Sequence, residues 1–443
     1  MDNASNPARE MSPAGPGRPG LADRLGSYSR PVTAQGGEGG VPRSFRRWRA
    51  LAITIAAIGA AAAAVATVTA LRSDSGPPST DNAFYTPPRP LPHGSAGMVI
   101  RNQRVPGAPA GTRAYRILYR SRGVSGAPVA LSALLFVPKR PAPANGRNIV
   151  AVAHGTVGVA PRCGISRDRA FFEHVDGLAR FIRAGYAVVV PDYAGLGTDG
   201  THPYLVGETN AHATLDAVRA TQRFDGSNAS ERFVVWGVGQ GGHTALFTGQ
   251  EASSYAPELE LAGVAAGAPY ANVRRLIEAT SGTPAGDVVA AYTLASWRDV
   301  YPQLRVGEIL TMAGRETLAR VSALCVPVDH ARIGPALGDR DVELAYRTKQ
   351  PWRTGQWRDL LERNSAGLKT ISVPLIITQG RDDLFVSPAA TARFVRYLCS
   401  QGATVQYRPS AGVAHSDLGE KTAPYVSKWI AGRFAGDAAR STC

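Results

Sequence analysis

Acidic residues are scarce in this 443-residue chain: 34 Asp and Glu stand against 49 Lys and Arg, a formal net charge of +15. Eight arginines against Asp2, Glu10, Asp23 and Glu38 place +4 of that before residue 50. Such a balance favours anionic surfaces in general. No basic stripe interleaved with aromatics accompanies it, so no nucleic-acid partner is expected. Cysteine is also sparse. Cys163, Cys325, Cys399 and Cys443 form no C-x-x-C pair, which argues against a zinc site, and neither metal nor cofactor is expected. Internal repeats are absent. Large apolar residues are few across residues 1–45, a Gly, Pro, Ser and Ala stretch that cannot bury enough surface to fold.

Charge is missing altogether from residues 50–71, 22 residues long enough to span a bilayer. Arg43, Arg46, Arg47 and Arg49 crowd its N-terminal side. The expectation is a disordered basic cytoplasmic tail over 1–49 and a single-pass anchor, with everything after residue 72 extracytoplasmic. A secretory signal cleaved near Ala70 is the alternative, giving a secreted protein. Residues 72–95 read as a Pro-rich linker. A folded domain is expected over 84–443, with 44% apolar residues in the chain to build its core. Outside the cytoplasm the four cysteines could form two disulfides.

From there apolar strands and helices alternate. AYRILYR and VALSALLFVP read as an antiparallel pair, NIVAVAHG, YAVVVPDY, RFVVWG, AGVAAGAP and VPLIITQG as buried strands, and ATVQYRP as a last one. This pattern predicts a mostly parallel sheet with helices on both faces. Residues 270–370 break the alternation with helical pieces, as an inserted cap would.

The most informative absence is one side chain. WGVGQGG, Trp236 to Gly242, joins an apolar strand to a helix. In one large hydrolase class that turn reads G-x-S-x-G and the serine is the nucleophile. Here Gly239 holds the middle position, which keeps the turn and deletes the chemistry. As a bare hexapeptide, GVGQGG also fits a nucleotide-binding glycine turn, but it lies late in the chain and no ribose-binding acid follows. Two later strand ends decide between the readings. GRDDLFV supplies Asp383 and GVAHSD supplies His415, so the chain order is elbow, acid, histidine. Backbone donors for an oxyanion are expected at Gln240 and, in the HGTVG loop, at Gly155 or Thr156. No substitute nucleophile is evident: Thr244 lies within the following helix and Ser416 beside His415. His243, one turn beyond Gly239, is expected on the helix surface, or else filling space left by the missing serine.

HGTVGVAPRCGIS (154–166), PDYAGLGT with HPYLVG (191–207), LDAVRA (215–220), GVGQGG (237–242), GRDDLFV (380–386) and GVAHSD (412–417) together resemble the secretory lipase family. These are α/β-hydrolases of the Candida lipase A type with actinobacterial relatives, and the likeness covers about residues 84–435. The resemblance implies an α/β-hydrolase fold with a helical cap over an acyl site. It implies hydrolysis of carboxylic esters, triacylglycerols included, with Asp383 and His415 as acid and base and Thr156 and Gln240 as oxyanion donors. It also implies disulfides Cys163–Cys325 and Cys399–Cys443. The departure at Gly239 predicts a weak or inactive hydrolase. The alternatives are a lipid-like ligand binder or sensor, and general-base chemistry by the His415–Asp383 pair.

Overall fold

A computed structural model describes residues 80–168, 175–326, 350–353 and 355–443. The tail, the anchor and residues 72–79 of the linker expected above lie outside the described residues. Those described belong to the compact unit Pro77–Cys443. Among them no helix is long and apolar enough to cross a membrane.

Nine strands form one sheet: β1 (Val99–Val105), β2 (Thr112–Arg122), β3 (Pro128–Pro138), β4 (Arg147–Ala153), β5 (Ala187–Pro191), β6 (Ala229–Val238), β7 (Glu260–Gly267), β8 (Leu375–Gly380) and β9 (Val405–Ser410). Their spatial order is β1-β2-β3-β5-β4-β6-β7-β8-β9. The first three and β5 pair antiparallel, and every pairing from β5 through β9 is parallel. This is the α/β-hydrolase fold. β4, β5 and β8 are apolar and buried almost throughout, as strands covered on both faces must be. β1 was not legible in the sequence, because VIRNQRV is an edge strand with four arginine or amide side chains and only one fully buried residue.

Helices α1 (Thr80–Tyr85), α2 (Leu178–Ala184), α3 (Gly207–Arg223), α4 (Gln240–Tyr255), α5 (Val273–Thr280), α6 (Pro284–Val300), α7 (Met312–Ser322), α8 (Gly355–Arg363), α9 (Pro388–Ser400) and α10 (Leu418–Ala435) surround it. The two sheet faces carry separate cores. Phe233 and Val235 of β6 pack with Leu215, Val218 and Leu246 of α3 and α4. Val234 and Trp236 turn the other way, onto Phe181 of α2 and Val426, Trp429 and Ile430 of α10. The alternation is the period of two that a pleated strand imposes.

The linker assigned to 72–95 does not remain a linker to its end. Phe84 and Tyr85 are buried against Leu118 and Ala130. The Tyr85 hydroxyl bonds Ser166 Oγ at 2.9 Å, so this α1 aromatic pair belongs to the packed domain, as a domain start at residue 84 predicts.

Between β7 and β8 the chain builds α5 to α8. Asn272, Thr283 and Thr311 cap the starts of α5, α6 and α7, their side chains accepting from Arg275, Gly286 and Gly314 N–H groups. A third core, including Tyr292, Trp297, Leu318 and Trp357, joins this insertion to Tyr270, Val386, Val413 and Leu418 at the strand ends. The disulfide Cys163–Cys325 ties the loop after β4 to the insertion, and Cys399–Cys443 ties α9 to the C-terminus. These are the pairings the family resemblance implied.

Candidate active site

The carboxyl ends of β4, β6, β7, β8 and β9 share one edge of the sheet, where ligands bind in open parallel sheets. Every predicted site residue follows one of these strands.

Gly239 sits between β6 and α4 with φ 60° and ψ −114°. This lies in the region L side chains rarely adopt, where an elbow residue is held and glycine is unstrained. Its N–H donates to Gly267 O at 2.9 Å, and its carbonyl accepts from His243 N at 3.0 Å and Tyr270 N at 3.2 Å. The turn is close-packed against β4. A Cβ on Gly241 would lie 2.0 Å from the Ala153 carbonyl oxygen, a backbone atom that cannot step aside. Gly241→Ala is therefore expected to destabilise the fold by about 3 kcal/mol or more. Chemical denaturation measures it, and a loss below about 1 kcal/mol would contradict the packing.

The acid and the histidine are in contact. His415 Nδ1 donates to Asp383 Oδ2 at 2.7 Å. The Asp383 side chain is fully buried, whereas that of His415 is 24% exposed. Asp383 Oδ1 accepts the N–H groups of Phe385 and Val386 at 2.9 and 2.7 Å. The loops carrying the pair are joined by Arg381 N to Ser410 O and Asp382 N to Val413 O. Gln379 was missed in the sequence. Its Nε2 donates to Asp383 Oδ2 at 3.2 Å and to the Val386 carbonyl, while its Oε1 accepts from Thr391 at 2.6 Å. A glutamine inside an apolar strand was the only signal, and nothing local says where its amide goes.

On the opposite side, Gln240 opens α4. Its backbone N–H is one of those a helix leaves without an intrahelical acceptor. Its side-chain amide reaches His202 Nε2 at 3.3 Å. Thr156 Oγ1 lies 2.8 Å from the Tyr204 hydroxyl, and Tyr204 is held by Ser296 and Trp297 of α6. The cap thus positions the loop of Gly155 and Thr156. Burial pushes His202 down to about 3 and His154 down to about 4, so both are neutral at pH 7.

His243 departs from the surface position expected for it. It is fully buried, its Nε2 donates to the Asn364 carbonyl at 2.8 Å, and burial lowers its pKa to about 4. Helical spacing put it on the face that the cap covers, which the amino-acid pattern of α4 did not show. Nor does it fill the space above Gly239, where Tyr270 stands. A Cβ placed on Gly239 would meet Cε1, Cζ and the hydroxyl oxygen of Tyr270, each at 3.1 Å. Burial raises the Tyr270 pKa above its ordinary value, against a lowering contact with the Thr156 side chain. Its ring lies 5.9 Å from that of His415 at 21° and 5.6 Å from that of Phe385. Tyr270 escaped the sequence reading because it follows β7, a strand end with no titrating triad candidate. Among possible substitutes, Cys163 is in a disulfide, and exposed Ser416 bonds Asp417 at 3.1 Å. Among the described residues no three His, Cys, Asp or Glu side chains converge as a metal site.

Similarity to known proteins runs along the same elements. A protein named probable inactive lipase from Mycobacterium tuberculosis is 25% identical over 375 residues, covering 81% of this chain and 82% of its own. A secreted triacylglycerol lipase of Malassezia globosa is 27% identical over 392 residues, covering 82% of this chain and 81% of its own. Among solved structures, Candida antarctica lipase A superposes with a TM-score of 0.70 at 20% identity, over 83% of this chain and 89% of that one. The family model described as secretory lipase matches residues 175–442, well over half the chain. The chain belongs to the secretory lipase family.

Proposed function

We propose that this chain is a lipase-family hydrolase whose nucleophile position is Gly239, and that it turns over carboxylic esters weakly or not at all. One observation carries this reading: Gly239 has the backbone of an elbow residue, φ 60° and ψ −114°, at the strand-to-helix turn, and no side chain. In this reading Asp383 orients His415, and His415 is the base. The N–H groups of Gln240 and of Thr156 or Gly155 face the place where an oxyanion would form. The ligand class is a lipid or other carboxylic ester. The name of the mycobacterial relative supports the loss of activity.

Two disulfides suit an oxidising compartment, and the Malassezia relative is named as secreted. We therefore place the domain outside the cytoplasm. Residues 50–71 serve either as its anchor or as a signal removed on export.

The intact pair at 2.7 Å supports a second reading, in which His415 activates a water directly with no acyl intermediate.

An alkyl fluorophosphonate, which phosphonylates a hydroxyl activated by such a pair, tests the main reading. Mass spectrometry is expected to find no adduct on this chain under conditions that fully label a serine-containing relative. An adduct that disappears in His415→Ala would reveal a working nucleophile and overturn the proposal.

A further inference from the structure

The absence of a serine does not leave an open space. We propose that Tyr270 plugs the seat where the elbow hydroxyl and the reacting carbonyl would meet, so that the site is closed by two residues, Gly239 and Tyr270. The inference rests on the reading of Gly239 as the nucleophile position.

The three heavy atoms nearest to a Cβ on Gly239 all belong to Tyr270, at 3.1 Å each. Carbon contacts are ordinarily 3.5–4.0 Å, so even an alanine there would press on the phenol ring. A serine oxygen extends one bond further. A reacting carbonyl carbon must approach the nucleophile to about 3–3.5 Å while its oxygen faces the backbone donors. The Tyr270 hydroxyl is in this region, since it neighbours both the Gly239 Cβ position and the Thr156 side chain.

Tyr270 is also firmly held. It is 5% exposed. Its N–H donates to the Gly239 carbonyl at 3.2 Å, and Ala268, at φ 35°, starts the turn that presents it. Pro269 of that turn packs against α4, where a Cβ on Gly242 would lie 3.0 Å from the Pro269 Cα. The ring is set between the Thr156 loop on one side and His415 with Phe385 on the other. Buried and un-ionised, the phenol is a filler and not a nucleophile. An ester can reach His415 from the elbow side only if this ring leaves.

The proposal makes restoring the serine insufficient. Fluorophosphonate labelling would be compared in Gly239→Ser, Gly239→Ser/Tyr270→Phe and Gly239→Ser/Tyr270→Ala. The Ala double variant is expected to label about 10- to 100-fold faster than Gly239→Ser, the range that overpacking by one or two atoms produces. The Phe variant should stay slow, because two of the three crowding atoms are ring carbons. Equal rates for Gly239→Ser and the Ala double variant would overturn the plug.

A thermal double-mutant cycle gives a readout independent of chemistry. The backbone strain of Gly239→Ala is the same with or without the ring, so it cancels. Gly239→Ala is expected to lower the melting temperature at least about twice as much in the natural background as on Tyr270→Ala, one carbon of overpacking being the difference. Equal drops would overturn the plug whatever the labelling shows. Coupled drops with no labelling in any variant would leave the contact between Tyr270 and Gly239 standing and refute the hydrolase reading of the site, on which the plug rests.

Discussion

Hydrolysis of p-nitrophenyl butyrate by the purified chain is expected to be about 10⁴- to 10⁶-fold slower than by a serine-containing member of the family assayed beside it. Acyl transfer in this fold divides one difficult displacement into two easier ones through a covalent intermediate, and that intermediate needs a nucleophile. Glycine supplies none. The deficit corresponds to about 5.5–8 kcal/mol of transition-state stabilisation. Any turnover that survives is expected from the groups still in place: the proposed oxyanion donors and the His415–Asp383 pair, whose 2.7 Å hydrogen bond needs no serine. His415→Ala separates the two readings. A further fall of about 100-fold or more assigns the residual turnover to water activated by His415, since general-base assistance is worth that much. An unchanged residual rate assigns it to the oxyanion donors and binding alone, or to a reaction outside the site. A natural chain within about tenfold of its relative would refute Gly239 as a disabling residue.

Replacing both Cys163 and Cys325 by alanine is expected to cost about 5 kcal/mol, the loop-closure value for cysteines 162 residues apart. For a unit of this length that is a fall of roughly 6–7 °C in melting temperature. The position adds to the loop length. Gly158 and Cys325 form a β-bridge and Val326 N donates to Val157 O at 2.9 Å, so the disulfide clamps the Thr156 loop to the end of α7. Scanning calorimetry of the oxidised natural chain against the double variant measures the effect. A shift under about 2 °C would show that the three-element packing holds the loop without the crosslink.

The sheet was readable from the sequence where its strands are continuous apolar runs. NIVAVA, YAVVV and PLIIT are long enough to be strands and too apolar to be anything exposed. The edge strand β1 was not readable, because one face meets water and the alternation dissolves into polar residues. The same division runs through the site. His415 and Asp383 were legible because glycine-bounded turns after strands are where a sheet of this kind presents chemistry, and chain order assigns the roles proposed for them. Gln379, Tyr204 and Tyr270 were not. Each acts through a partner distant in the chain: Gln379 through Thr391, Tyr204 through Thr156 and Ser296, and Tyr270 through Gly239 and His415. His243 shows the limit most simply, since a helix face is a surface or an interior only once the residues around Asn364 have packed on it.

By itself, then, the sequence determined the fold class, the edge of the sheet where the candidate site lies, and the glycine at residue 239. Each of these follows from local rules of periodicity, turn geometry and residue identity. Only the tertiary structure decided what packs over Gly239. A phenol 31 residues further along closes on Gly239 because β6 and β7 lie side by side. Such proximity comes from strand pairing, and no local pattern in the chain records it.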